Sequence, residues 1–135
     1  MYNLEWQKID KSNFETVPKK SGVYIITCKC VSGEEHVIYS GQSDNLCRRL
    51  KEHWNDSEEN EELKRAIKNY PSAIEAYYSL VPLVNLDCLE RYLFDTFLPQ
   101  LQERAPEVSA SSCTLPKNVS KGRVNFKANW LNNSL

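Results

Sequence analysis

Ser21-Gly22-Val23-Tyr24, answered by Val37-Ile38-Tyr39-Ser40-Gly41, is the stretch whose reading decides the fold. Both runs are β-rich, each carries one tyrosine and one glycine, and Ser32-Gly33 between them is a turn signal. Folded as a hairpin about that turn, the runs bring Tyr24 close to Tyr39 and leave Gly41 at the open end. The next periodic segment follows at once and delivers Arg48, Arg49 and His53. Phenols, guanidinium and imidazole converging on one mouth of a sheet suit phosphate handling better than a routine core.

Working outward, strands are expected over Gly22 to Cys30 and His36 to Ser40. A first helix, capped by Ser43 or Asp44, places Leu46, Leu50 and Trp54 on one stripe. A second helix is expected over Glu59 to Asn69, closed by Pro71-Ser72. Ile74, Ala76, Tyr78 and Leu80 alternate as a third strand that Pro82 ends. A third helix starts near Asn85 or Asp87 and stops at Leu98 before Pro99. These elements predict an α+β domain with a small three-stranded antiparallel sheet flanked by helices. Residues 18–104 hold it, an extension over 1–17 packs on its edge through Trp6, Ile9, Phe14 and Val17, and residues 105–135 form a tail. Arg123 to Leu131 reads as a short final strand or a docked arm.

The chain has 135 residues, 41% of them hydrophobic, which suffices for one core. No apolar run reaches the roughly 18 residues of a membrane span. The first residues lack the basic-then-apolar order of a secretory signal. A cytoplasmic protein is expected. Five cysteines (Cys28, Cys30, Cys47, Cys88, Cys113) fit neither a disulfide framework nor a zinc spacing and read as reduced, mostly buried thiols. The net charge of −1 excludes a wholesale polycation. Asp56, Glu58, Glu59, Glu61 and Glu62 read as a solvated acidic face. Residues 108–135, by contrast, have Lys117, Lys121, Arg123 and Lys127 and no acid, a bias that suits a polyanion.

Two positions resist a purely structural reading. Arg49 and His53, four apart on one helix, flank the apolar stripe and so sit at the core's rim. Arg48 and Lys51 read instead as a solvated cationic surface. Glu90 falls inside the stripe of Leu86, Leu89, Leu93 and Phe97, where a carboxylate is costly unless paired or bound to a metal. A structural ion pair with Arg49 is the plain alternative to a hard-cation site there.

In order and spacing these residues resemble the GIY-YIG nuclease superfamily. Gly22-Val23-Tyr24 stands at its first motif, Tyr39-Ser40-Gly41 at its second, and Asn45 to Leu50 at its arginine helix, with Arg49 in the functional position. His53 matches a histidine found four residues on in several members. Glu90, with Leu93-Phe94 and Pro99, matches the metal-binding glutamate helix. Three positions depart from the pattern: Ser40 for an apolar residue, Gln42 for the lysine of repair-type members, and Gln102 for the usual asparagine.

The resemblance implies a Mg²⁺-dependent endonuclease acting on DNA, with Mn²⁺ able to substitute and RNA also compatible. It implies Glu90 as the metal ligand, Arg49 as phosphate clamp, Tyr24 as activator of water, and Tyr39 and His53 as phosphate ligands or proton relays. Gly22, Gly41, Gln42, Arg48, Gln102, Lys117, Lys121 and Arg123 are the expected supporting or nucleic-acid-binding positions. The chain would act alone, as a homodimer, or within a larger nuclease assembly. The alternative is a weak or inactive nucleic-acid-binding module of the same fold.

Overall fold

A computed structural model describes residues 2–55, 58–99, 101, 106 and 119–120. Its centre is the hairpin of β3 (Gly22–Lys29) and β4 (Glu35–Ser43). The connecting turn holds Gly33 at φ 94°, a left-handed conformation that glycine adopts without a Cβ penalty. Tyr24 faces Gly41 and Ile26 faces Tyr39, but Thr27 faces Val37, so Ile38 is one residue too many on β4. This β-bulge breaks the alternation. Ile38 and Tyr39 both belong with Tyr24 and Ile26 on one side of the sheet, while Val37 joins Val23 and Ile25 on the other.

β5 (Ile74–Leu80) pairs antiparallel with β3 along its whole length, and β2 (Gln7–Lys8) pairs with the far edge of β5. The order is β2-β5-β3-β4. The sheet therefore has four strands, where three were expected. The extra strand comes from the N-terminal extension, and its two exposed polar residues carry no periodicity that a sequence reading could detect. The extension is anchored by Leu4 and Ile9, buried on opposite faces of the sheet, and by the Ile9 N–H donating to Ala76 O at 2.9 Å. At the chain's extremes, β1 (Tyr2–Asn3) and β6 (Val119–Ser120) form a short parallel pair.

Helices cover both faces. α1 (Leu46–Trp54) and α2 (Glu61–Asn69) pack on the Tyr24 face through Leu46, Leu50 and Leu63. α3 (Leu86–Phe97) packs on the opposite face through Leu86, Leu89, Leu93 and Phe97. The cap of α1 is Asn45, whose side chain accepts the Arg48 N–H at 3.1 Å, rather than Ser43 or Asp44. Ser43 is not available because it still pairs with Gly22 in the sheet. The cap of α2 is Asn60, which puts the helix start two residues later than expected. α3 ends where Leu98 turns left-handed at φ 49°, ahead of Pro99. The chain then crosses the open edge of β4, and the Leu101 N–H donates to Ile38 O, the bulged residue, at 3.1 Å. The edge is thereby closed to another strand at that point.

Of the cysteines within the described residues, Cys47 is buried, whereas Cys28, Cys30 and Cys88 are partly exposed. All four are free thiols, less buried as a set than expected. No helix among the described residues is long and apolar enough to cross a membrane.

Candidate active site

The hairpin register builds the site. Tyr24 and Tyr39 lie on the same face of neighbouring strands, one diagonal apart, with ring centroids 6.3 Å apart and planes within 16°. Gly41, directly opposite Tyr24, leaves the space the Tyr24 ring occupies. A Cβ built there would lie 2.4 Å from the phenol oxygen and 2.5 Å from Cζ. Gly22 does similar work on the helix side, where a Cβ would meet Ser79 O at 2.3 Å and Leu46 Cδ1 at 2.6 Å. Both glycines thus permit close packing within the domain. Gly41→Ala must push the Tyr24 ring away, and overpacking of this kind costs about 1–3 kcal/mol. We expect a lower melting temperature and at least a tenfold loss of any activity that depends on Tyr24, checked by thermal melts beside a cleavage assay.

α1 follows the hairpin and brings in the cations. Arg49 is half-buried, and its guanidinium charge acts on the phenols of both Tyr24 and Tyr39, lowering the pKa of each. It also faces Glu52 at 4.0 Å. Burial alone would lower its pKa, but the two phenols and Glu58 around it hold it above the usual arginine value, so it stays charged. One turn on, His53 is buried against both phenols, its ring centroid 5.4 Å from Tyr24 and 4.9 Å from Tyr39.

A hydrogen-bonded line runs through this histidine. Nε2 lies 2.7 Å from the Tyr24 hydroxyl, and Nδ1 hydrogen-bonds a carboxylate oxygen of Glu58. Glu58 is itself buried, and its second oxygen accepts the Asn60 N–H at 3.0 Å. Burial would raise the Glu58 pKa, but hydrogen bonds from His53 and from the Asn60 amide, with the charge of Arg49, bring it below the usual carboxylate value. Burial and Arg49 push His53 below the usual imidazole value, against the opposing pull of Glu58. At neutral pH the pair is a carboxylate beside a neutral imidazole.

Burial, reinforced by the neighbouring phenol of Tyr39 and by Glu90, drives the Tyr24 pKa well above its ordinary value despite Arg49. Tyr39 is raised for the same first reason, with Glu58 and Glu90 adding to it. Both are neutral phenols at neutral pH. Glu90 thus acts electrostatically on both tyrosines. It is partly exposed at the margin of the α3 stripe, rather than inside it as expected. No cluster of three or more His, Cys, Asp or Glu suited to a metal occurs among the described residues. A cation held by Glu90 would therefore complete its shell with water and substrate oxygens, which suits a hard ion that keeps its waters.

The remaining expected positions divide. Arg48 is exposed and paired with Asp44 at 3.0 Å and Glu52 at 3.5 Å. Gln42 points to the α3 side and donates to Asp87. Ser40 is buried opposite Ile25 on that side, away from the phenols. Gln102, Lys117, Lys121 and Arg123 lie outside the described residues, as does the stretch Arg123 to Leu131. One residue was misread: Glu58 is no part of a solvated acidic face, because it is buried against His53. No sequence spacing signals this contact, because α1 ends at Trp54 and Glu58 lies beyond it. Arg49, Glu52, Glu58 and Glu59 line a polar cleft of about 280 Å³.

An antiparallel sheet between helices, with two phenols, a guanidinium and an imidazole at a hairpin mouth and a carboxylate acting on them, defines a nuclease-type catalytic domain. The family model for the GIY-YIG catalytic domain matches residues 20–102, and the chain belongs to that family. Among solved structures it is similar to the N-terminal GIY-YIG endonuclease domain of UvrC from Thermotoga maritima. A tyrosine-to-phenylalanine point mutant of that domain, bound to its catalytic divalent cation, aligns at 22% identity and TM-score 0.52, covering 71% of this chain and 100% of that one. The same domain bound to magnesium aligns at 21% and 0.51, covering 70% and 99%. No curated protein matches the chain in sequence.

Proposed function

We propose that the protein hydrolyses phosphodiester bonds in DNA, with Mg²⁺ held by Glu90. The observation that carries this reading is the meeting of Tyr24, Tyr39, Arg49 and His53 on one face, with the charge of Glu90 felt at both phenols. One carboxylate, partly exposed, fits a Mg²⁺ that keeps most of its waters, and the ion would supply Lewis-acid stabilisation of charge at the phosphate.

The chain's own residues supply the rest. Arg49, its charge favoured by both phenols and by Glu58, keeps a fully charged fork for the phosphate. Tyr24 positions the attacking water and takes its proton. A neutral phenol can do this only while its own proton leaves, and the His53 Nε2 at 2.7 Å is the outlet. Tyr39, on the edge strand and partly exposed, donates to a phosphate oxygen. The basic residues of the tail, Lys117, Lys121 and Arg123, add charge for the nucleic acid backbone.

The test is incubation of purified protein with supercoiled plasmid at low salt. We expect Mg²⁺-dependent conversion to nicked or linear DNA, abolished by a chelator. Unchanged plasmid across salt concentrations, with Mn²⁺ as well as Mg²⁺, would leave a binding module instead.

A further inference from the structure

We infer that Glu58 is a positioning residue that holds His53 as the Nδ1–H tautomer, leaving Nε2 as the acceptor for the proton of Tyr24. The inference deepens the proposed hydrolysis and rests on it for its kinetic consequence. Its structural part stands on the geometry alone.

An imidazole flanked by a hydroxyl and a carboxylate can be wired in either direction. Its neutral form carries one N–H, and which nitrogen bears it decides what the other can do. An ionised carboxylate accepts and never donates. Glu58 is buried, and its other oxygen is already engaged by the Asn60 N–H at 3.0 Å. The Nδ1 contact therefore needs its proton on Nδ1. Nε2 is left with a lone pair facing the Tyr24 hydroxyl at 2.7 Å, so the phenol donates.

This wiring gives the reaction a balanced proton path. As water attacks phosphorus, its proton moves to the Tyr24 oxygen and the phenol's own proton moves to Nε2. The new P–O bond forms and the bond to the departing oxygen breaks, that oxygen taking a proton from solvent. His53 ends as an imidazolium against the Glu58 carboxylate, then returns its proton to solvent. The carboxylate orients the ring and stabilises its charged form, as in a hydroxyl–histidine–carboxylate triad. With the opposite tautomer, Nε2–H would aim at the phenol and the path would be shut.

Nitrogen-15 NMR of the full chain reads the tautomer directly. There are two histidines, His36 and His53, so a His36→Gln variant assigns the signals. The expected wild-type spectrum shows His53 with a protonated Nδ1 and a bare Nε2. Glu58→Met keeps length and removes the acceptor. It should shift His53 toward the Nε2–H form and slow single-turnover cleavage by about 100-fold, the scale of a lost acid–base contribution. Glu58→Gln, which can still accept through its amide oxygen, should keep more of the Nδ1–H form and cut faster than Glu58→Met. It also serves if the methionine variant does not fold. Wild-type protein with the proton on Nε2 overturns the inference, as does a folded Glu58→Met variant with unchanged tautomer and rate. Wild-type protein with the Nδ1–H form that cuts no DNA overturns the nuclease mechanism and leaves the tautomer assignment standing.

Discussion

Glu90→Ala is expected to lower Mg²⁺-dependent cleavage by about 10³-fold or more, the upper scale for losing one electrostatic contact to a developing charge. The fold should survive. Glu90 sits at the margin of the α3 stripe while Leu86, Leu89, Leu93 and Phe97 carry the packing, so stability should change by about 1 kcal/mol or less. DNA affinity should persist, because Arg49 and the other cations are untouched. A second readout is independent of activity. Glu90 helps hold both phenols above their ordinary pKa, so spectroscopic titration of the variant should find Tyr24 and Tyr39 ionising at lower pH than in the wild type. Plasmid cleavage by a folded Glu90→Ala protein at the wild-type rate would remove Glu90 from the metal and the mechanism together. A change in the titration with no change in rate would restrict Glu90 to electrostatics.

The hairpin was legible because its signals are local. Ser32-Gly33 marks the turn, two β-rich runs flank it, and the spacing alone brings Tyr24 beside Tyr39. The bulge at Ile38 was not legible. A period-two reading predicts that Ile38 and Tyr39 take opposite faces, and the structure puts both with Tyr24. The edge strand β2 escaped for a different reason. Two polar residues have no pattern, and their pairing is set by the free edge of β5 and by the burial of Leu4 and Ile9 on either side of them. The α1 cap moved from Ser43 or Asp44 to Asn45 because β4 runs on to the position opposite Gly22. Ser43 and Asp44 are cap-type residues by sequence, and tertiary pairing moved the cap one residue beyond them.

Glu58 shows the limit most plainly. In sequence it belongs to a run of acids that any charge-pattern reading assigns to solvent. Burial comes from tertiary contacts, in which Glu58 accepts the Asn60 N–H and faces His53. Arg49 and His53 could be placed because helical spacing connects them. Nothing in sequence spacing connects a loop carboxylate to a buried imidazole.

Tyr24→Phe is the companion test, and its size separates two ways of using a phenol. The phenyl ring fills the same space beneath Gly41, so the sheet and α1 should stay in place. Removing the oxygen leaves the His53 Nε2 without its donor at 2.7 Å. A buried polar group left unmatched costs about 1–3 kcal/mol, so a modest drop in melting temperature is expected. The rate should fall by about 10²–10⁴-fold, because proton removal from water loses its relay. Tyr39→Phe should cost less. That ring is partly exposed on the edge strand and does not share the Tyr24 line to His53 and Glu58. Single-turnover rates at fixed Mg²⁺ and salt decide the matter. Loss of less than about threefold in Tyr24→Phe, or a larger loss in Tyr39→Phe, would move water activation from the buried phenol to the exposed one, and the His53–Glu58 pair would then serve the fold rather than the reaction.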